Sequence, residues 1–166
     1  LVYIYRALGI PCGIEELPMR GNNNAPHFWN FLVDQHGQTW YFSMFYWWHR
    51  LLKAEVYADV YGKVFRQRFS LNRDMMDSLR MPLDSVHPVF RYPFFEDVTR
   101  LYATDKAFTL SVGKQHLARD IRAGEVVYIC MSDRYAWKPV GWTRYDGSNA
   151  VFKDCHGGTI SVSYTH

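Results

Sequence analysis

The sequence predicts an α+β chain: a short helix and a β-hairpin first, then a turn-rich connection, then an antiparallel β-sandwich. Three observations predict it. The first eleven residues, LVYIYRALGIP, place apolar side chains at helical spacing and end in a glycine and a proline. Two β-prone runs follow around a polar turn, FWNFLV and TWYFSM on either side of DQHGQ. From Glu96 onward, short β-prone runs recur with polar turns between them, the pattern of a sandwich rather than of a helical or α/β domain. The boundaries that follow are a core over 1–69, a linker over 70–95 and a sandwich over 96–166.

Each element has a local reason. In the helix, Leu1, Ile4, Tyr5 and Leu8 form one face; Gly9 stops it and Pro11 forbids its continuation. No capping residue precedes it, so the helix reads as the end of a longer one. Residues 12–26, with Gly13, Pro18, Gly21, three asparagines and Pro26, read as an exposed loop. In the hairpin, Val33 opposite Thr39 sets Trp29 opposite Ser43 and puts His27, Trp29, Tyr41 and Ser43 on one side. FYWWHRLLKAEV leans to helix, KVFRQRF reads as a half-exposed strand, and RDMMDSLR as a helical turn. Pro82, Pro88 and Pro93 mark the linker. The sandwich strands are DVTRLYA, AFTLSVG, EVVYICMS, AWKPVGWTRY, NAVFKD and TISVSY.

Composition narrows the function. An apolar fraction of 48% suffices for a true core, and an aromatic share of 17% favours a β-rich interior or a stacking platform for flat ligands. The net charge of +3 is scattered, with no basic stripe to follow a phosphate backbone, which excludes nucleic acid as the expected partner. No apolar run reaches membrane-spanning length. The three cysteines, Cys12, Cys130 and Cys155, allow at most one disulfide, and neither they nor the seven histidines show metal-ligand spacing. No metal or cofactor is implied.

RALGIP (Arg6–Pro11), a polar loop, HFWN (His27–Asn30) and the strand GQTWYFS together resemble the core of the transglutaminase-like superfamily. The resemblance covers about the first third of the chain. It implies a partial transglutaminase-like, papain-like core ahead of the sandwich, and a cysteine acyltransferase, peptidase or amidase chemistry. His27 takes the place of the family's base. Trp29 and Asn24 are candidates for substrate contact. Ser43 stands nearest the aspartate that orients the histidine in the family, and a hydroxyl cannot stabilise an imidazolium as a carboxylate does. The family's cysteine belongs about three helical turns before Arg6, ahead of Leu1, so this chain alone is expected to be inactive. A thiolate gains from a helix N-terminus, whereas Cys12 follows the C-terminal end and reads as a small buried residue.

The second half resembles the sandwich appended to such cores in bacterial secreted or envelope proteins, which implies that location and a protein or peptide substrate, or a glycan. Trp137 and Trp142, five residues apart, would stack on a glycan if exposed together and would fill the sandwich if buried. A non-catalytic glycan- or protein-binding module is the alternative from a different functional class.

Overall fold

The computed structural model describes residues 1–20, 25–42, 62–79, 86–102, 107–117, 120–132, 135–156 and 161–165 of the chain. The described residues are mostly antiparallel β-sheet with few, short helices. Five strands make the first sheet in the order β3-β2-β1-β4-β5: β1 Cys12–Leu17, β2 His27–Val33, β3 Thr39–Phe42, β4 Phe65–Gln67 and β5 Phe95–Asp97. Two further sheets follow. One is β10-β7-β8, from β7 Val126–Ser132, β8 Trp137–Arg144 and β10 Ser161–Thr165; the other pairs β6 Ala107–Gly113 with β9 Asn149–His156. The helices are α1 Val2–Ala7, α2 Arg73–Leu79 and α3 Thr99–Tyr102.

The hairpin has the expected register, with Val33 opposite Thr39 and Phe31 opposite Tyr41. Its turn is closed by Asp34, whose Oδ1 accepts the backbone N–H groups of His36 and Gln38 at 2.8 and 2.9 Å and whose Oδ2 accepts the Trp40 indole N–H at 2.9 Å. These bonds, the indole's foremost, hold the Asp34 carboxyl below the usual carboxylate range.

Two expectations fail. Residues 12–17 are not loop but β1, the central strand of the first sheet, paired with β2 on one side and β4 on the other. A central strand tolerates the charged Glu15 there because that carboxylate is fully partnered from neighbouring elements. DVTRLYA is not a strand either: Asp97 ends β5 and its Oδ1 accepts the Thr99 N–H at 3.0 Å and the Thr99 hydroxyl at 2.5 Å, which caps the turn of α3.

α1 forms where the spacing predicts it, but most of its apolar stripe stays open. Leu1, Ile4 and Leu8 are exposed, and α1 has no buried residue. Its contacts include Tyr5, edge-on against Phe42, Arg6, whose guanidinium lies 3.6 Å over the Phe69 ring, and the Val2 carbonyl, which faces Cys12 Sγ.

Three apolar clusters stack through the molecule. Val127, Ile129 and Met131 on one face of β7 join Val140, Ala150 and Phe152, so the three-stranded and two-stranded sheets close on a shared core. Val126, Tyr128 and Cys130 on its other face join Phe65, Val86, Phe90 and Phe95. Burial on both faces explains the unbroken apolar run VVYICM. Val86 and Phe90, from the stretch expected as a linker, are each 1% exposed within that second cluster. The third cluster, Leu17, Trp29, Phe31, Tyr41, Val64, Val98 and Tyr102, covers the opposite face of the first sheet.

Candidate functional site

His27 opens β2 opposite Leu17, the last residue of β1, and is half-buried. Alternation along β2 puts it on the same side as Trp29 and Phe31, and the imidazole and indole centroids are 5.6 Å apart. Ahead of it, the Arg20 backbone N–H donates to the Ala25 carbonyl at 3.0 Å. Asn24 and Ser43, the other two residues expected at the site, lie outside the described residues, as does the stretch FYWWHRLLKAEV.

Trp29 is 3% exposed, so it supports His27 from within the core and does not form an open wall. Its indole N–H is shared between Glu15 Oε2 and the Tyr102 hydroxyl oxygen, each at 2.9 Å. Glu15 has no exposed surface. Its carboxylate also accepts the Tyr102 hydroxyl on Oε2 and the Arg66 Nε–H on Oε1 at 2.8 Å. The Arg66 guanidinium lies 4.0 Å over the Phe31 ring, which gives its delocalised charge a second, apolar-side partner. Burial, and then the adjacent Glu15 charge, drive the Tyr102 phenol far above its ordinary range and keep it a donor. Sequence reading missed this network entirely: Glu15 sat in an expected loop, and its partners are 14, 51 and 87 positions away.

None of the three cysteines faces His27. All are free and buried. Cys12 alternates onto the other face of the sheet, where its Sγ lies 3.5 Å from the Val2 carbonyl and where α1 also rests through Phe42. Burial pushes the Cys130 thiol up to about 11, and burial likewise raises that of Cys155. Both are therefore protonated and poor nucleophiles near neutrality. Among the described residues, no group of three or more His, Cys, Asp or Glu side chains is gathered as a metal site. Among the same residues no helix is long and apolar enough to cross a membrane.

Trp137 and Trp142 end up on one face of β8 because the register slips by one residue near Val140. They face Ser132 and Tyr128 respectively, four residues apart on β7, or about 13 Å. Trp137 is 47% exposed, while Trp142 packs half-buried against the second cluster. One sugar ring cannot span both.

Comparison of the chain with known protein families, with curated proteins and with solved structures finds no match. The functional reading therefore rests on residues and geometry.

Proposed function

We propose that the chain is part of a transglutaminase-like protein that transfers or hydrolyses amide acyl groups, with His27 as the general base of a cysteine nucleophile. The observation that carries this reading is the setting of His27. The imidazole heads a strand, is only half-buried, and leans on an indole that a buried carboxylate and a phenol hold in place. Fixed orientation with partial access is what proton transfer to and from a reacting group requires. In this reading the cysteine precedes Leu1 in the same polypeptide, since Cys12, Cys130 and Cys155 are turned away or held protonated.

The chemistry is then that of an activated thiol. His27 takes the thiol proton, and the thiolate attacks the amide carbonyl. The imidazolium returns the proton to the departing amine, leaving a thioester. Water or a second amine, deprotonated in turn by His27, releases the acyl group. A protein or peptide supplies the amide, and a secreted or envelope location belongs to the same proposal.

The test is alkylation of the polypeptide carrying its natural upstream sequence with iodoacetamide across pH 5–9. The expected result is one thiol that reacts at pH 6 and loses about 10²-fold of that reactivity in His27→Ala. An upstream sequence without cysteine, or a thiol indifferent to the His27 substitution, overturns the proposal.

A further inference from the structure

Where β8 and β9 leave their shared hairpin turn they part company, and a cleft of about 590 Å3 opens between them and the edge strand β5. The turn is tight: Asp146 Oδ1 accepts the N–H groups of Ser148 and Asn149 at 2.7 Å each. Beyond it, β8 joins β7 and β9 joins β6. Both parting strands are bulged at this level. In β8 the slip lies between Pro139 and Gly141; in β9 it leaves Lys153 and Asp154 opposite the single residue Thr109. Asp154 carries the left-handed backbone of that bulge, with φ 51°. Bulges re-aim side chains and free ladder groups, and they concentrate beside binding sites.

The floor of the cleft is a neutral knot. Lys63, 6% exposed, donates from Nζ to Asp97 Oδ2 at 2.8 Å and to the Lys153 carbonyl at 2.5 Å. Its aliphatic stem crosses β8 at Gly141, where a Cβ would sit 3.2 Å from Lys63 Cγ and 3.0 Å from Ile129 Cγ2. Above this floor stand Arg68, Asp74, Glu96, Trp142, Lys153 and Asp154.

We propose that this cleft binds an uncharged saccharide chain. Its volume is that of an ordinary small-molecule site, about 300–1,000 Å3. Its charges are interleaved and nearly balanced, Lys63, Arg68 and Lys153 against Asp74, Glu96, Asp97 and Asp154, with Lys63 paired to Asp97 and Arg68 lying 3.9 Å from Glu96, so a polyanion or polycation finds no strong field to enter. What it presents is a half-buried indole beside forked and planar hydrogen-bonding groups. That combination matches the apolar face and hydroxyl rim of a pyranose ring. An extended peptide finds little ladder on β5, which offers three residues with the Phe95 carbonyl already taken by Asn72 Nδ2 at 2.6 Å, and addition to the open edge of β8 is the outcome that the trialanine comparison tests. Asp97 and Phe95 alternate to the face opposite His27, and β5 is three strands from β2 in the sheet, about 14 Å, so the cleft stands apart from the proposed chemistry.

The test uses the whole chain on an array of microbial, plant and host glycans. Titration calorimetry with cellotriose, xylotriose, mannotriose and chitotriose follows, with trialanine and a sulfated oligosaccharide as comparisons. Binding of a neutral glycan is expected, weakened about tenfold in Lys153→Ala and in Asp154→Asn. Both variants should keep the parent's unfolding midpoint, because the Lys63 contact uses the Lys153 backbone and asparagine tolerates the left-handed conformation. Trp142→Phe, which keeps most of the packing, should also weaken binding. Failure of every neutral glycan on the array to bind, preference for the peptide or the sulfated probe, or unchanged affinity in both rim variants overturns the proposal.

Discussion

A carboxylate without exposed surface is tolerated only when donors fill its lone pairs, and Glu15 draws its donors from β2, β4 and α3. Glu15→Ala strands the Arg66 charge and the Tyr102 hydroxyl hydrogen, leaving the Trp29 N–H only its Tyr102 acceptor, and should cost about 3–5 kcal/mol. Tyr102→Phe removes one donor to a charged acceptor and should cost about 1.5–3 kcal/mol. Urea unfolding of both variants checks the order; a Tyr102→Phe protein as stable as the parent refutes this account of the network. Tyr102 also sets a pH dependence. Its folded-state pKa is raised by burial and by Glu15, so its contribution is complete below the unfolded value of about 10 and declines as pH rises past it. Stability should therefore fall above pH 10, less steeply in Tyr102→Phe. Glu16, raised by burial against the opposing hydrogen bond to Gln67, follows the same sign lower on the scale. Its contribution is present below the ordinary glutamate range and lost as pH rises through the raised value. Glu16→Gln should accordingly raise the unfolding midpoint at pH 7 and leave it unchanged near pH 3, as paired urea titrations would show.

At the scale of elements, β1 is packed closely against its neighbour β2. A Cβ on Gly13 would lie 2.7 and 2.8 Å from two atoms of the Phe31 ring on the neighbouring strand. Gly13→Ala should cost about 1–3 kcal/mol through overpacking, and Phe31→Leu in the same chain should recover part of it. Gly9→Ala, at φ 78° with open space around it, should cost about 1 kcal/mol through backbone strain alone. Denaturant midpoints that show no coupling between positions 13 and 31 would contradict the contact. The same strand shows what the sequence hides. Hairpin register, β4, α2 and the strands from Ala107 onward were legible because alternation and turn residues are local signals. β1 was not, because CGIEEL combines a glycine with two glutamates, and what makes Glu15 an interior residue lies far along the chain. α1 was legible as a helix, yet Leu1, Ile4 and Leu8 are exposed: periodicity defines a stripe, never what covers it. The start of β2 at His27 was legible in HFWN, while the clamp on Trp29 was not.

At the scale of the whole molecule, β7 is the strand on which the layers meet, with the two-stranded sheet packed against one face and residues 86–95 against the other. The second contact is specific. The Phe90 ring stacks on Tyr128 at 5.8 Å and 14°, and the His87 N–H donates to the Tyr128 hydroxyl oxygen at 3.1 Å. Through Phe65 and Phe95 the same cluster reaches β4 and β5, so the first sheet and β7 share one interior. Elements that share an interior unfold together, whereas elements joined by a tether unfold separately. Phe90→Ala opens a cavity at that junction and should cost about 3–5 kcal/mol. The loss should appear as one earlier transition, coincident by tryptophan fluorescence and far-ultraviolet circular dichroism. Hydrogen exchange at the amides of Val126–Met131 should quicken with it. A midpoint unmoved by Phe90→Ala, with exchange in β7 unchanged, would mean that residues 86–95 only connect the two halves. The coupling between His27's sheet and β7 with its neighbours β8 and β10 would then be absent.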